Sequence, residues 1–439
     1  MTREGPRGVQ TAGRPQDRAR RIPDRLPDRV SVGVLTGVFP GELVDEVIEK
    51  TGTRERRKRR LPARLMVYYV LALALFAEQS YDEVMRLLTR GLGWLCGWSR
   101  AWEAPTVPAI TKARTRLGEA PLALLFERVS GPLAAGPAEG AHWRGLRLTA
   151  LDWATVGVPD TGENAASFGR AANAGKKAPP QVRLAALGEC GTGGLIGAAF
   201  GPPSQGTQHL ARELLSALDS ATLLVADWKF SSRELWHEAA STGAHLVWQA
   251  GPSCALPVID VLGDGTYLSQ LEPPAGASGE PVRVRAVDCE ITVSGEPPAV
   301  RPVTLITTML DPATAPAAEL AALYQQRWKA TTIFTSLMPH RRSRDVMLRS
   351  KSPDMARQEM WAMLCVYQGI RTLMWQSARG GDGSPDPPPT AGAIRVIRHA
   401  AAARPGVPRC GQASRPASGA RHASPVIAGA PGPRPTARR

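Results

Sequence analysis

The chain has 439 residues, of which 43% are hydrophobic, which is enough to build two or three packed domains of ordinary size. Its six cysteines lie far apart, with no CxxC pair and no Cys/His metal spacing, which argues against a zinc site or a disulfide framework and favours a reducing cytoplasm. The net charge of +15 comes from the two ends, because residues 1–64 carry a surplus of seven positive charges and residues 378–439 a surplus of eight, so the sequence between them is formally neutral.

The N-terminus and the longest apolar run predict a protein without a membrane partner. Residues 1–30 are rich in Arg, Pro and Asp and lack the apolar stretch of a secretory signal. The apolar run over residues 65–77 is 13 residues long, whereas a membrane-spanning helix needs roughly 20. We therefore expect a cytoplasmic protein with a disordered basic N-terminus over residues 1–30.

Residues 31–134 have the pattern of a helical domain. Apolar residues three and four positions apart predict a helix around Leu43–Ile48, a second helix follows Pro62, and a capping box of Ser80 and Glu83 predicts the start of a third. A short helix after Pro108 carries three basic residues on its predicted polar side: Lys112, Arg114 and Arg116. This helix suits either a solvated surface position or helix-turn-helix contact with DNA.

A dense basic run lies between the first two predicted helices. Its core is Arg56, Arg57, Lys58 and Arg59, and such a run would release several counterions on binding a phosphate backbone. Blocks of like charge are also common in solvated linkers. The sequence leaves both interpretations open.

From residue 141 the pattern changes to strands that alternate with helices, and it predicts an α/β domain over residues 141–377. Strands are predicted at 146–151, 155–158, 182–187, 195–200, 223–226, 245–248 and 303–309, and helices at 208–218, 231–240, 317–338 and 353–377. Proline- and glycine-punctuated strand segments predict a β-rich insertion over about residues 250–302. Residues 378–439 lack periodicity and predict a disordered basic tail.

Two of the predicted strands lead directly into an aspartate. The apolar residues up to Leu151 precede Asp152, and Leu223–Ala226 precede Asp227. Because α/β sheets place their active sites at strand ends, we expect both carboxylates to emerge at strand ends and to converge. Paired carboxylates at such an edge indicate metal-dependent phosphoryl chemistry.

Three segments resemble, in order and spacing, the transposases of the insertion element 4 family: Leu151-Asp152-Trp153-Ala154-Thr155, Ala226-Asp227-Trp228-Lys229-Phe230 and Tyr324-x-x-Arg327. The resemblance covers about residues 30–377. It implies an α/β fold, with a ribonuclease-H-like catalytic domain that carries a β-rich insertion and follows a helical N-terminal domain. It also implies metal-dependent DNA cleavage and strand transfer on double-stranded DNA, namely the terminal inverted repeats of the element and a target. A homodimer on DNA is compatible with it.

The same resemblance implies roles for single residues. Asp152 and Asp227 match the two aspartate ligands of Mg²⁺ or Mn²⁺, and Tyr324 and Arg327 match the helix motif that continues with a glutamate and a lysine. The glutamate position holds Thr331, and the lysine position holds Met338. A neutral hydroxyl adds no charge against a divalent metal, and a thioether does not contact phosphate as an ammonium does. We therefore expect a transposase that is weakened or inactive.

Basic residues around the end of this helix are candidate contacts to the DNA backbone, and a solvated helix end is the alternative for them. They are Arg327, Arg341, Arg342, Arg344, Arg349 and Lys351. For the whole chain, the alternatives are a catalytically silent DNA-binding remnant that occupies element ends and a metal-dependent nuclease outside transposition. The tail after Ala378 is either functional or a product of gene decay.

Overall fold

The computed structural model describes residues 35–57, 59–77, 79–95, 105–170, 178–273, 280–293, 299–330 and 348–380. The predicted disorder over residues 1–30 and 381–439 therefore lies outside the described residues, whereas residues 378–380, which were also predicted to be disordered, continue the last helix. The described chain begins with the helices α1 (Gly41–Lys50), α2 (Ala63–Leu75), α3 (Tyr81–Leu95), α4 (Val107–Leu117) and α5 (Ala120–Val129).

Strands and helices then alternate. The strands are β1 (His142–Trp143), β2 (Leu146–Gly157), β3 (Gln181–Glu189), β4 (Leu195–Gly201), β5 (Thr222–Ala226), β6 (His245–Gln249), β7 (Asp260–Val261), β8 (Tyr267–Leu271), β9 (Val282–Val293) and β10 (Ala299–Thr307). The helices among and after them are α6 (Gly162–Phe168), α7 (Gly206–Arg212), α8 (Arg233–Ser241), α9 (Ala317–Ala330) and α10 (Pro353–Gly380).

The helix α2 is the centre of the helical region. It is apolar around its whole circumference, and all of its residues except Arg64 and Ala74 are buried. Such a helix must be enclosed by other elements. The helices α1, α3, α4 and α10 pack against it. No helix in the described part of the chain combines the length and hydropathy that crossing a membrane requires.

The strands form a mixed sheet in the order β4-β3-β2-β5-β6-β10-β9-β8-β7, and β1 pairs with the start of β2. The strands β2, β3 and β4 form an antiparallel meander, whereas β5 and β6 run parallel to β2. The strand β10 adds antiparallel to β6, and β9, β8 and β7 follow it. The segment predicted as a β-rich insertion therefore extends the central sheet.

Alternating residues of the central strands face two different cores, because the side-chain period of a strand is two. Leu151, Leu224 and Leu246 face the core under α7 and α8. Their neighbours Ala150 and Val225 face the core under α9. Farther along β2 and β3, this second face packs against the helical region and α10.

The helix α10 joins the helical region to the sheet. Its Gln368 accepts a hydrogen bond from the backbone N–H of Leu195 at 2.7 Å and donates to the carbonyl oxygens of Val129 and Gly131. The hydroxyl of Tyr367 donates to the carbonyl oxygen of Gly193 at 2.9 Å. The end of α5 and the β3–β4 turn are thus both held by the last described helix.

Arg114 is buried, and the prediction that it lies on the polar side of its helix was wrong. Its guanidinium donates hydrogen bonds to the Tyr81 hydroxyl, the Ser350 hydroxyl and the Met355 carbonyl oxygen, each at 3.1 Å, and to Gln358 Oε1 at 3.3 Å. Each of the three guanidinium nitrogens thus has at least one hydrogen-bond acceptor, which is what burial of a polar group requires. Helical periodicity could not reveal these partners because three of them lie more than 230 residues away.

Arg349, which the sequence suggested as a DNA contact, is also used inside the protein. Its guanidinium donates to the carbonyl oxygens of Gln79 and Leu73 at 2.5 and 3.0 Å, and its backbone N–H donates to the carboxylate of Glu359. These bonds tie the segment before α10 to the helical region. DNA contact by Arg349 stays a prediction, and the structure adds a role for this residue within the protein.

The buried hydrogen bonds of Arg114 lead to a stability prediction. We expect Arg114→Met to lower the free energy of unfolding by about 3–5 kcal/mol, because the change leaves buried acceptors unpaired. Denaturant unfolding followed by circular dichroism measures this loss. The control Lys112→Met changes an exposed residue of the same helix and is expected to stay within about 0.5 kcal/mol of the unsubstituted protein. Equal effects of the two changes would contradict the structural role of Arg114.

Candidate active site

The parallel pairing of β2 and β5 brings Asp152 and Asp227 to the same level of the sheet. The last recorded pair is Ala150 opposite Val225. Asp152 and Asp227 each lie two residues after this pair. They are on the same face of the sheet as the pair, because side chains of an extended chain alternate between the two faces. Neighbouring strands are about 4.8 Å apart, so the backbone positions of the two aspartates are adjacent, on the face where Ala150 and Val225 pack under α9.

Local backbone groups orient both carboxylates. Asp152 is 7% exposed, and its Oδ1 accepts a hydrogen bond from the backbone N–H of Trp153 at 2.8 Å. Asp227 is partly buried, and its Oδ1 accepts from the backbone N–H of Lys229 at 2.9 Å. The second bond caps a single turn of 3-10 helix, Trp228–Phe230. Hydrogen bonds within the protein therefore set the orientation of each carboxylate, without a bound ligand.

The negative charge of Asp152 also affects the ionisation of Tyr367 in the helix α10. Burial raises the pKa of the Tyr367 hydroxyl well above its ordinary value, Arg371 opposes that rise, and the negative charge of Asp152 adds to it. Asp152 thus lies at the junction where α9 and α10 meet the same face of the sheet.

The prediction that both aspartates follow strand ends was correct for Asp227 and wrong for Asp152. The strand β5 ends at Ala226, directly before Asp227. The strand β2 continues to Gly157, because its antiparallel ladder with β3 runs from Thr149 to Gly157 and does not stop where β5 stops. Two separate strands had been predicted in this region, and they are one.

Gln249 is a site residue that the sequence analysis missed. The pair Ala226–Trp248 is the last recorded between β5 and β6, so Gln249 lies level with Asp227 on the next parallel strand. The buried Tyr324 of α9 donates its hydroxyl hydrogen to Gln249 Oε1 at 2.7 Å. A signal was available, because Gln249 follows the predicted strand 245–248 as Asp227 follows its own strand.

The structure describes only part of the segment that carries the Tyr324-x-x-Arg327 motif and its continuation. Tyr324 is fully buried against the sheet, and the backbone of α9 continues through Arg327 to Ala330. The sequence-predicted residues Thr331, Met338, Arg341 and Arg342 lie outside the described residues, as does Lys58. The described geometry therefore brings together Asp152, Asp227 and Tyr324, with Gln249 beside them.

Family models match most of the chain. The model described as Insertion element 4 transposase N-terminal matches residues 29–127, and the model described as Transposase DDE domain matches residues 143–368. The second match alone spans more than half of the chain. The chain belongs to the insertion element 4 family of DDE transposases. The family is thus confirmed, and so is a fold in which a helical N-terminal region precedes an α/β domain of the DDE transposase type.

Relatives of this transposase include two Escherichia coli K12 proteins. The transposase InsG for insertion sequence element IS4 is 29% identical over 338 residues, which covers 75% of this chain and 73% of the relative. The putative transposase InsZ is 28% identical over 228 residues, which covers 50% and 73%. A solved structure, the piggyBac transposase synaptic complex with hairpin DNA, is similar with a TM-score of 0.43 at 11% identity over 84% of this chain and 79% of that one.

A DDE domain implies a divalent metal cofactor. Among the residues that the structure describes, no group of three or more His, Cys, Asp or Glu side chains is arranged to hold one. The oxygen donors present are the carboxylates of Asp152 and Asp227 and the amide oxygen of Gln249. These are the hard ligands that Mg²⁺ and Mn²⁺ accept. The residues therefore fit such an ion, with less negative charge than three carboxylates provide.

Glu319 of the transposase does not replace the missing carboxylate. Its carboxylate lies in the first turn of α9, where it accepts hydrogen bonds from Arg144 at 2.9 Å and from the Trp143 indole at 2.8 Å. These hydrogen bonds, with the Arg144 bond the larger effect, hold the pKa of Glu319 below its ordinary value. Glu319 is therefore held against Trp143 of β1 and the adjacent Arg144.

The basic run between α1 and α2 lies at the surface. Arg56, Arg57 and Arg59 are exposed and line a surface cavity of about 520 Å³. Within the described residues no carboxylate pairs with these three side chains, whereas Arg54 pairs with Glu49 at 3.2 Å. The cavity is also lined by Asp45 and Glu55, whose carboxylates lie 3.3 Å from Arg64 and 3.8 Å from Arg116, so the three exposed arginines contribute its positive charge.

The hydrogen bond between Tyr324 and Gln249 can be tested by a double-mutant cycle. We expect Tyr324→Phe and Gln249→Met to have non-additive effects on the free energy of unfolding, with a coupling of about 1 kcal/mol, because each change removes the same hydrogen bond. Denaturant unfolding of the single and double variants measures it. Additive losses would show that the two side chains act independently.

Proposed function

We propose that this transposase cuts and joins DNA at the ends of an insertion sequence with Asp152 and Asp227 as ligands of a divalent metal, Mg²⁺ or Mn²⁺. We further propose that catalysis is weakened because Thr331 occupies the position of the third carboxylate. The observation that carries the proposal is the parallel register of β2 and β5, with both aspartates level on the face beside α9. The partner is double-stranded DNA, namely the terminal inverted repeats and a target, and the protein acts in the cytoplasm. The homodimer on DNA stays a prediction.

The proposed chemistry consists of two displacements at phosphorus. A water oxygen attacks a phosphorus at the element end, the bond from phosphorus to the 3′ oxygen breaks, and that oxygen takes up a proton. The freed 3′ hydroxyl then attacks a phosphorus of the target, loses its proton, and displaces a target 3′ oxygen. A bound divalent metal would lower the pKa of the attacking oxygen and offset the charge on the leaving oxygen.

The residues of the chain contribute orientation and charge to this chemistry. Backbone hydrogen bonds fix the Asp152 and Asp227 carboxylates, so little reorganisation is needed when a cation binds. The Tyr324 hydroxyl fixes the oxygen end of the Gln249 amide beside Asp227. Arg327, one turn after Tyr324 on α9, would contact a DNA phosphate.

Two sequence departures support the weakened activity. Thr331 supplies a neutral hydroxyl where a carboxylate ligand is expected, so the site carries one negative charge less. Met338 supplies a thioether where an ammonium would contact phosphate. Both losses act on the transition state, because they remove charge from the atoms that bind the metal and the reacting phosphate.

A second candidate function is a catalytically silent protein that occupies element ends. The observation that favours it is the presence of exposed basic side chains between α1 and α2, in a chain whose sequence offers two carboxylates where the family motif has three. Arg56, Arg57 and Arg59 are exposed and unpaired within the described residues. We propose that they bind the DNA backbone together with Lys58, and that Arg341 and Arg342 do so near the motif helix. Gel-shift binding of the repeats without a metal-dependent product would favour this candidate.

Restoring the motif tests the cause of the weak activity. We expect Thr331→Glu with Met338→Lys to raise metal-dependent cleavage of terminal-repeat DNA by at least about tenfold, because a restored carboxylate stabilises transition-state charge through the metal. Cleavage of end-labelled duplex measures the gain. The matched control is Thr332→Glu with Met338→Lys, which moves the same charge by one position. An equal rate for both double variants, or no gain, would refute the proposed cause.

Metal binding can be tested without catalysis. We expect Mn²⁺ at a hundredfold excess over its dissociation constant to stabilise the unsubstituted protein by about 2.7 kcal/mol. Asp152→Asn and Asp227→Asn are expected to abolish this gain in thermal unfolding, because each removes a charged ligand. The control Asp288→Asn changes an exposed carboxylate on β9 and keeps it. Unchanged metal stabilisation in the Asp152 and Asp227 variants would remove these residues from the site.

A further inference from the structure

Two tryptophans and two cations form a cluster beside the two aspartates. This aromatic–basic cluster consists of Trp153, Arg183, Trp228 and Lys229. The Lys229 ammonium lies 4.1 Å from the centroid of the Trp153 ring and 5.8 Å from that of Trp228. The guanidinium carbon of Arg183 lies 5.6 Å from the Trp153 centroid. Both cations therefore lie within cation–π distance of the Trp153 ring.

Strand geometry explains why the cluster forms next to the carboxylates. Trp153 follows Asp152 on β2 and packs toward the core under α7 and α8, so it lies on the opposite face of the sheet. Arg183 of β3 is a diagonal neighbour on that face, because Trp153 pairs with Ala185. Trp228 and Lys229 lie in the turn that Asp227 caps. The cluster and the carboxylates therefore share one edge of the sheet.

The cluster presents both an aromatic surface and free positive charge. Trp228 is 45% exposed, and Lys229 is exposed. In the part of the chain that the structure describes, neither Lys229 nor Arg183 forms an ion pair, and Arg183 Nε has no hydrogen-bond acceptor. The hydrophobic core does not require Trp228, since Phe230 of the same turn fills the buried position. Its exposed indole is available to a ligand.

We propose that the aromatic–basic cluster binds an unpaired DNA nucleotide, with the base stacked on Trp228 and the adjoining phosphate at Lys229 and Arg183. An indole surface next to uncompensated cations matches the chemistry of a single-stranded nucleotide, which offers a free base face and a phosphate together. Bases inside a duplex are stacked on one another and cannot use that surface. The source of the nucleotide rests on the proposed function, because cleavage at an element end frees a strand end, whose terminal bases are unpaired once that end separates from its complement.

The position of the cluster relates it to the reaction. Trp153 and Trp228 are each one residue from an aspartate of the candidate metal site. A strand whose phosphate lies at the carboxylates therefore passes the cluster where it leaves the sheet edge. Binding an unpaired nucleotide there holds the end of the strand after the duplex has opened.

The test measures binding by fluorescence anisotropy, with the full chain in excess chelator so that no cleavage occurs. The probes are a labelled single-stranded oligothymidylate and a blunt duplex of equal length. We expect Trp228→Ala to weaken binding of the single strand about tenfold and to leave duplex binding unchanged, and Trp228→Phe to retain most of the affinity. Lys229→Ala is expected to reduce the salt dependence of single-strand binding by about 0.7 in the log–log slope.

Val261→Ala is the matched control, because Val261 is another exposed apolar side chain, at 67%, on the distant strand β7. We expect it to bind both probes as the unsubstituted protein does. Unchanged single-strand affinity in Trp228→Ala would overturn the proposal, and so would an equal loss on the duplex. Because the measurement contains no metal, its failure is separate from failure of the proposed cleavage, which the Thr331 and Met338 variants test.

Discussion

The parallel pairing between β2 and β5 fixes the geometry on which the chemistry depends. A shift of one residue in that register would turn one carboxylate to the other face of the sheet, into the core under α7 and α8. The pairing is held from both sides, since β3 continues along β2 and β6 continues along β5. Apolar residues such as Ala150 and Leu151 are buried on opposite faces and resist slippage. Hydrophobic burial thus positions two polar groups that do not themselves drive folding.

Features set by short-range patterns could be predicted from the sequence. The apolar run before Asp227 marks a strand and its end, and the order of strands and helices indicates an α/β domain. Asp152 was assigned to a strand end because the local pattern breaks at an aspartate and a tryptophan. The ladder with β3 keeps that segment extended through Gly157. The length of β2 therefore depends on its pairing with β3, which the periodicity of β2 alone does not reveal.

Features that depend on distant partners could not be predicted in this way. The pattern of its own helix predicts that Arg114 faces solvent. It is buried because Ser350 and Gln358, which are more than 230 residues later in the sequence, accept hydrogen bonds from it. Gln249 has no motif of its own, and it becomes a neighbour of Asp227 only through the β5–β6 register and the Tyr324 hydroxyl. In both cases tertiary contacts assign the role, whereas local composition suggests a different one.

The two faces of one sheet edge carry different side-chain chemistry. The face beside α9 carries the proposed ligands Asp152 and Asp227, and the sequence has Thr331 where the family motif has a third carboxylate. On the other face, Trp153, Trp228 and Lys229 present aromatic surface and positive charge. In the proposed function, the neutral Thr331 lowers the stabilisation of the transition state, whereas the aromatic–basic cluster adds contact with an unpaired DNA strand. The two proposals together predict a protein that holds DNA better than it cuts it.

The late position of α10 in the chain has a consequence for the gene. The helix α2 acquires one of its main covering elements only after synthesis has reached residue 380. A frameshift or premature stop before α10 would release a polypeptide whose α2 lacks part of its cover, and exposed apolar surface of that kind promotes aggregation. Truncated products of this reading frame are therefore poor candidates for soluble repressors of the mobile element.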